Sequence, residues 1–221
     1  MAMQRFPLTN ENSYSKKYRP GEKLYASLEL NQVAFPKTGM VVSQVPLDDA
    51  FTLEAPCENG MWVVGDKAAG KIKAPATNAD KPIGIVYTSE KEYDMYHYGL
   101  QTFGRKIAGD YPRVGLFSIG DTVTTNCLQY DDSEFQAVTT TGSEKTAEEV
   151  MLDALANIGT TPIYVVPAAP TTAAQTNPNA VANAIPKLTA SKPSSGIYGK
   201  VVKFYTVPNG EKGVKYQIIS L

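Results

Sequence analysis

One histidine, one tryptophan and two cysteines are all that this chain of 221 residues carries of its scarcest side chains. Each shortage removes a class of chemistry. His97 stands among tyrosines with no Ser or Cys nucleophile in a recognisable frame, and no GxSxG occurs, so it reads as a structural or surface histidine. Cys57 and Cys127 belong to no CxxC or Cys/His cluster, which argues against zinc. Two free thiols are the expectation for them, ahead of a disulfide. The formal net charge of -1 leaves no whole-protein electrostatic footprint for nucleic acid. No apolar run approaches the roughly 18 residues that a membrane helix needs. The opening stretch, MAMQRFPLTNENSYSKKYRPGEK, has no apolar core of a secretion signal, so assembly in a cytoplasm is expected.

Two apparent motifs dissolve on inspection. GDKAAGK is one residue short of a phosphate-binding loop and lacks the Ser or Thr that should follow its lysine. The acidic groups Asp48-Asp49 and Asp131, Asp132, Glu134 lack calcium-loop spacing and read as turn residues, which Asp favours through local hydrogen bonds. The sequence therefore nominates no catalytic residue, no cofactor-binding residue and no metal ligand, and the chain is read as non-enzymatic.

What is present is strand-forming. Thirteen tyrosines suit sheet faces and half-wet contact surfaces. KLYASLEL alternates apolar and polar residues with period two, and GMVVSQV, AFTLEA, ENGMWVVGD, KPIGIVYT and RVGLFSIGDTVTTNCLQY continue the strand signal. Asn59-Gly60 offers the positive-φ residues of a tight hairpin. Short strands at about ten-residue spacing predict a mainly-β fold, a β-barrel or sandwich of short antiparallel strands. Two stretches share one order of parts, an apolar strand, a Gly-Asp turn (Gly65-Asp66, Gly120-Asp121) and a closing strand on Pro-Ile (Pro82-Ile83, Pro162-Ile163). They read either as two halves of a barrel or as chance. One inserted helix is predicted over about 144–158, capped by Ser143 or Thr146. Ala147, Val150, Met151, Ala154, Leu155 and Ile158 form its apolar stripe, and Gly159 stops it. SEKEYDMYHYGLQTF is a second candidate, helix or structured loop.

Four parts follow along the chain. Residues 1–22 form a weakly basic N-terminal arm, in which Arg5, Lys16, Lys17 and Arg19 are candidate partner contacts. Residues 23–166 form the β-rich core. Residues 167–196 form a Pro/Ala/Thr-rich linker whose AVANAIPKL segment carries a few apolar anchors. Residues 197–221 form a C-terminal hairpin with a basic side of Lys200, Lys203, Lys212 and Lys215. An isolated hairpin is marginal in water, so it must pack on its own core or on a neighbouring subunit. The reach of the linker favours a strap that delivers it to a neighbour; a surface loop within one subunit is the alternative.

The aromatic cluster Tyr93–Phe103 is the remaining surface candidate, with Tyr93, Tyr96 and Tyr98 able to stack on sugars or a protein partner, or simply to fill a core. GDKAAGKIKAPATNADKPIGIVYTSEKEYD together with YPRVGLFSIGDTVTTNCLQYDD, and the sparse Thr/Ala/Pro tract, resembles the head-decoration, head-fibre and capsid-cement proteins of tailed bacteriophages. The likeness spans roughly residues 60–130. It implies a β-rich, often trimeric protein without enzymatic activity that binds the outer face of a capsid shell. On that basis the expected partners are the major capsid protein or other virion proteins and further copies of the chain, with no nucleic acid, no membrane and no cofactor. The expected location is the virion surface, after assembly in a bacterial cytoplasm. The length, the helix and the late linker leave open a tail, neck or baseplate position, and the tyrosine cluster leaves open a carbohydrate-binding module.

Overall fold

The computed structural model of the chain describes residues 3–6, 32–35, 40–42, 44–66, 68–77, 80, 83–87, 105–140, 142–168, 180–206 and 212–221. In chain order the strands are β1 (Met3–Arg5), β2 (Gln32–Ala34), β3 (Val41–Val42), β4 (Cys57–Glu58), β5 (Trp62–Asp66), β6 (Lys71–Lys73), β7 (Ile83–Val86) and β8 (Arg105–Lys106). They continue with β9 (Val114–Leu116), β10 (Thr122–Thr125), β11 (Gln129–Asp131), β12 (Tyr164–Val166), β13 (Lys187–Thr189), β14 (Tyr198–Thr206) and β15 (Lys212–Ser220). Helix α1 (Ala147–Ala156) lies between β11 and β12. The fold is mainly β and sandwich-like. One sheet runs β1-β11-β13-β12-β14-β15-β10-β2, a second runs β3-β9-β7-β5-β6, and β4 pairs with β8 as a short ribbon. Among these strands all pairings are antiparallel except that of β11 with β13.

The sheets meet through side chains that periodicity alone does not single out. Trp62 on β5 and Tyr216 on β15 are both fully buried, and the indole Nε1–H donates to the tyrosine hydroxyl at 2.9 Å. The Phe117 ring packs edge-on against Trp62 at 5.2 Å. Glycine makes room at this contact and at a second one. A Cβ on Gly199 would lie 2.7 Å from Tyr216 Cδ2, so only a bare backbone lets that ring lie across β14. On the other sheet a Cβ on Gly115 would lie 2.2 Å from the ring of Phe35, which follows β2 and packs edge-on with Tyr87. Phe35 is thus a second link between the sheets.

Helix α1 starts where a capping box dictates. Glu149 N–H donates to Thr146 Oγ1 at 3.2 Å while the Glu149 carboxylate accepts from Thr146 N–H at 2.7 Å. Of the two candidate caps, Thr146 is the one used. The backbone N–H of Thr146 holds the Glu149 carboxyl below its ordinary value. Met151 and Leu155 are the buried part of the apolar stripe, and Asn157 rather than Gly159 caps the end.

The 167–196 segment is not a linker over its described part. Residues 180–184 form a 3-10 turn, and Lys187–Thr189 is strand β13, wedged between β11 and β12 inside the larger sheet. Val181, Ala184, Ile185 and Leu188 are buried in the common core. Gln129 pins the turn by donating through Nε2 to the carbonyls of Ala182 and Ile185, at 2.9 and 2.6 Å. Asn183 donates to the Pro75 carbonyl at 3.1 Å, tying the turn to the smaller sheet's loops. The Glu134 carboxylate accepts from Thr189 Oγ1 and from Ala190 N–H. The C-terminal hairpin likewise sits within its own chain: β14 pairs with β12, and β15 pairs with β10. Of the two placements expected for the hairpin, the single chain shows packing on its own core, with both pairing edges filled by its own strands.

Other expectations shift as well. The arm begins as strand β1, paired with β11, and Phe6 is fully buried; residues 7–22 lie outside the described residues. So do KLYASLEL and the second helix candidate. AFTLEA is no strand. Asp48 Oδ1 accepts from Ala50 N–H and Thr52 Oγ1 from Ala55 N–H, local bonds that compete with a ladder, while Phe51 is buried. Gly60 has φ +93, but the turn joins β4 to β5 in different sheets and makes no hairpin. The two Gly-Asp stretches are not repeated halves. Gly65 is an extended residue of β5, whereas Gly120 has φ +101 in a turn between strands of different sheets.

Leu188→Ala should therefore destabilise the isolated protein by about 2–5 kcal/mol, the cost of a buried Leu cavity. A surface linker residue would cost almost nothing in the same denaturant titration. Removing residues 197–221 should abolish cooperative unfolding of the monomer, since β14 and β15 are interior strands of the larger sheet.

Candidate interaction surface

A β-bulge decides which side chains the hairpin presents. Val201 pairs with Tyr216 and Lys203 with Lys215, so Val202 has no opposite residue. Before the bulge Val201 points inward; after it Phe204 packs on the core, while Lys203 and Tyr205 point away. Val202 is left 47% exposed.

On β15 the burial alternates, with Val214, Tyr216 and Ile218 fully buried and Lys215 and Gln217 partly exposed between them. Register then fixes the outer face. One row holds Lys203, Lys215 and Thr124; the next holds Lys200, Gln217 and Thr122. Val123 and Thr125 of β10 point the other way and are buried. Three of the four predicted hairpin lysines, Lys200, Lys203 and Lys215, thus share one face. Lys212 falls on the opposite side by the same alternation, so the fourth is corrected. None of the four pairs with a carboxylate among the described residues. Lys203 Nζ lies 5.8 Å from the centroid of the Tyr205 ring. The Tyr205 hydroxyl has no hydrogen-bond partner among the described residues, and burial pushes it up to about 12. Thr122, Thr124, Gln217 and Tyr205 complete this face and were not singled out from sequence. The alternation of TVTT carried the signal.

Several other lysines are neutralised locally. Lys71 pairs with Asp49 at 2.7 Å and Lys73 with Asp66 at 2.9 Å, and Asp66 also accepts from Ala68 and Ala69 N–H. GDKAAGK is therefore a turn capped by the Asp66 carboxylate, with Lys71 paired to Asp49; Lys67 lies outside the described residues. Arg5 is corrected as a surface contact: its Nη2 lies 3.4 Å from Glu58, whose side chain is almost fully buried. Lys16, Lys17, Arg19, Tyr93, Tyr96, Tyr98 and His97 lie outside the described residues. The DDSE carboxylates serve the turn. Asp131 accepts from Ser133, Asp132 from Gln4, and Glu134 faces Lys187 at 3.6 Å. Among the described residues, no group of three His, Cys, Asp or Glu side chains could hold a metal.

Cys57 and Cys127 are free and buried. Burial pushes the Cys127 thiol up to about 12 and the Cys57 thiol well above its ordinary value.

Comparison with protein-family models, with curated proteins and with solved structures finds no match to this chain.

Two measurements check this description. A thiol reagent at neutral pH should modify neither cysteine until denaturant is added; prompt labelling of the native protein would contradict their burial. Cys127 and Tyr205 both carry folded values raised above 9.0 and 10.0, so their contribution is complete below those values. It is lost as pH climbs toward about 12, where the unfolded chain has already ionised. Thermal stability should fall across that window, and Tyr205→Phe should flatten its upper part.

Proposed function

We propose that this chain is a non-enzymatic structural protein of a tailed bacteriophage, one that binds the capsid shell and stabilises or decorates it. The single observation that carries the reading is the outward face of β14, β15 and β10. There Lys200, Lys203 and Lys215 stand among Thr122, Thr124 and Gln217 with no described carboxylate pairing them, on strands central to the core. Such a face is suited to a broad, acidic protein surface. The resemblance of residues 60–130 to decoration and cement proteins supplies the kind of surface meant, the outer face of a shell of repeated subunits.

The mechanism is additive. Each contact is modest, because exposed ion pairs contribute only about 0–1 kcal/mol each. Many copies on a symmetric shell, or a homo-oligomer that engages several subunits at once, convert modest contacts into durable attachment through effective concentration. The shell's major capsid protein is the partner on this reading, and the virion surface is the location.

Co-sedimentation with purified empty shells tests it. The wild-type protein should pellet with the particles, more weakly as salt is raised. Charge reversal at Lys203 and Lys215 together should lower the affinity at least about tenfold without changing the melting temperature. Failure of the wild-type protein to associate with any shell or virion particle would end this reading.

A further inference from the structure

The outer face also specifies what sort of segment it can receive, an inference that rests on reading it as the contact surface. Lys203 and Lys215 are direct cross-strand partners. Like charges placed opposite one another on neighbouring strands repel and cost stability. Opposite side chains start about 5 Å apart, close enough for one carboxylate to sit between two ammonium groups. The Tyr205 ring stands beside Lys203, while its hydroxyl is buried and takes no part in the contact. The next outward row, Lys200 opposite Gln217, begins two residues further along β15. Two residues of strand advance roughly 7 Å. An extended segment repeats its own like-facing side chains at that same spacing. A helix places same-face neighbours three or four residues apart, at roughly 5–6 Å.

We propose that this face receives an extended acidic segment of a partner protein, laid along β14 and β15, with carboxylates on alternate residues. One carboxylate sits between Lys203 and Lys215 and the next meets Lys200, with Gln217 and the threonines donating to the intervening polar groups. The overall charge of -1 sets this apart from duplex nucleic acid, whose binding draws on many cationic contacts.

Fluorescence anisotropy with the full-length protein tests the proposal directly. The probes are a labelled peptide of alternating Glu and Thr, a peptide of the same composition with its Glu residues in one block, and a labelled DNA duplex. The alternating peptide should bind several-fold more tightly than either of the others. Its affinity should drop at least about tenfold with Lys203→Glu/Lys215→Glu and stay unchanged with Lys212→Glu, which lies on the other side of the hairpin. Equal binding of the blocked peptide, tighter binding of DNA, or indifference to the double charge reversal would each overturn it. The two readings fail separately. Shell association with no preference for the alternating peptide refutes the segment and leaves the shell role. A peptide preference lost in the double variant, without shell association, upholds the segment and refutes the shell role.

Discussion

A buried hydrogen bond between two aromatic side chains holds the two main sheets of this protein together. The indole of Trp62 donates to the hydroxyl of Tyr216 across the space between the sheets, and both groups are shut off from water. Such a bond contributes only about 1 kcal/mol net, yet removing one partner strands the other at a cost of about 1–3 kcal/mol. Its value lies in geometry. An apolar interface alone accepts many near-equivalent packings, whereas a donor that must meet one acceptor fixes how the sheets sit. Burial pushes the Tyr216 phenol upward, so it stays neutral and available as an acceptor through the physiological range.

Several features make sense as consequences of that contact. Gly199 leaves the Tyr216 ring room to cross β14, and the bulge at Val202 then re-phases the rest of the strand. Because Tyr216 points inward, Lys215 and Gln217 must point outward. Because the bulge turns Phe204 inward, Lys203 comes opposite Lys215. The cationic face is thus the reverse side of the core contact. A polar row on the outside and an aromatic anchor on the inside are two readings of one alternating strand.

Much of this was legible in the chain. The mainly-β class, a helix start at one of two caps, Ser143 or Thr146, the helical stripe through Met151 and Leu155, and the final hairpin all follow from local patterns. The tract before the hairpin was legible only as a linker with a few apolar anchors in AVANAIPKL, because its core contribution rests on four small or isolated apolar residues, Val181, Ala184, Ile185 and Leu188, among polar ones. Their anchoring comes from Gln129, which donates to Ala182 and Ile185 from 53 and 56 residues away, and from Pro75, which accepts from Asn183 across 108 residues. No window of sequence contains that information. The basic side of the hairpin was visible as composition, but which lysines share it depends on one unpaired residue at the bulge. Arg5 looked like a surface charge because its partner, Glu58, is brought to it only by the fold.

The central claim is that the outward face of β14, β15 and β10 is where this protein meets its partner. Lysine acetylation footprinting, read by mass spectrometry on the free and shell-associated protein, addresses it most directly. The account requires Lys200, Lys203 and Lys215 to lose reactivity on association, while Lys212 and Lys145 keep theirs. Unchanged labelling of those three lysines on particles that have captured the protein would contradict it.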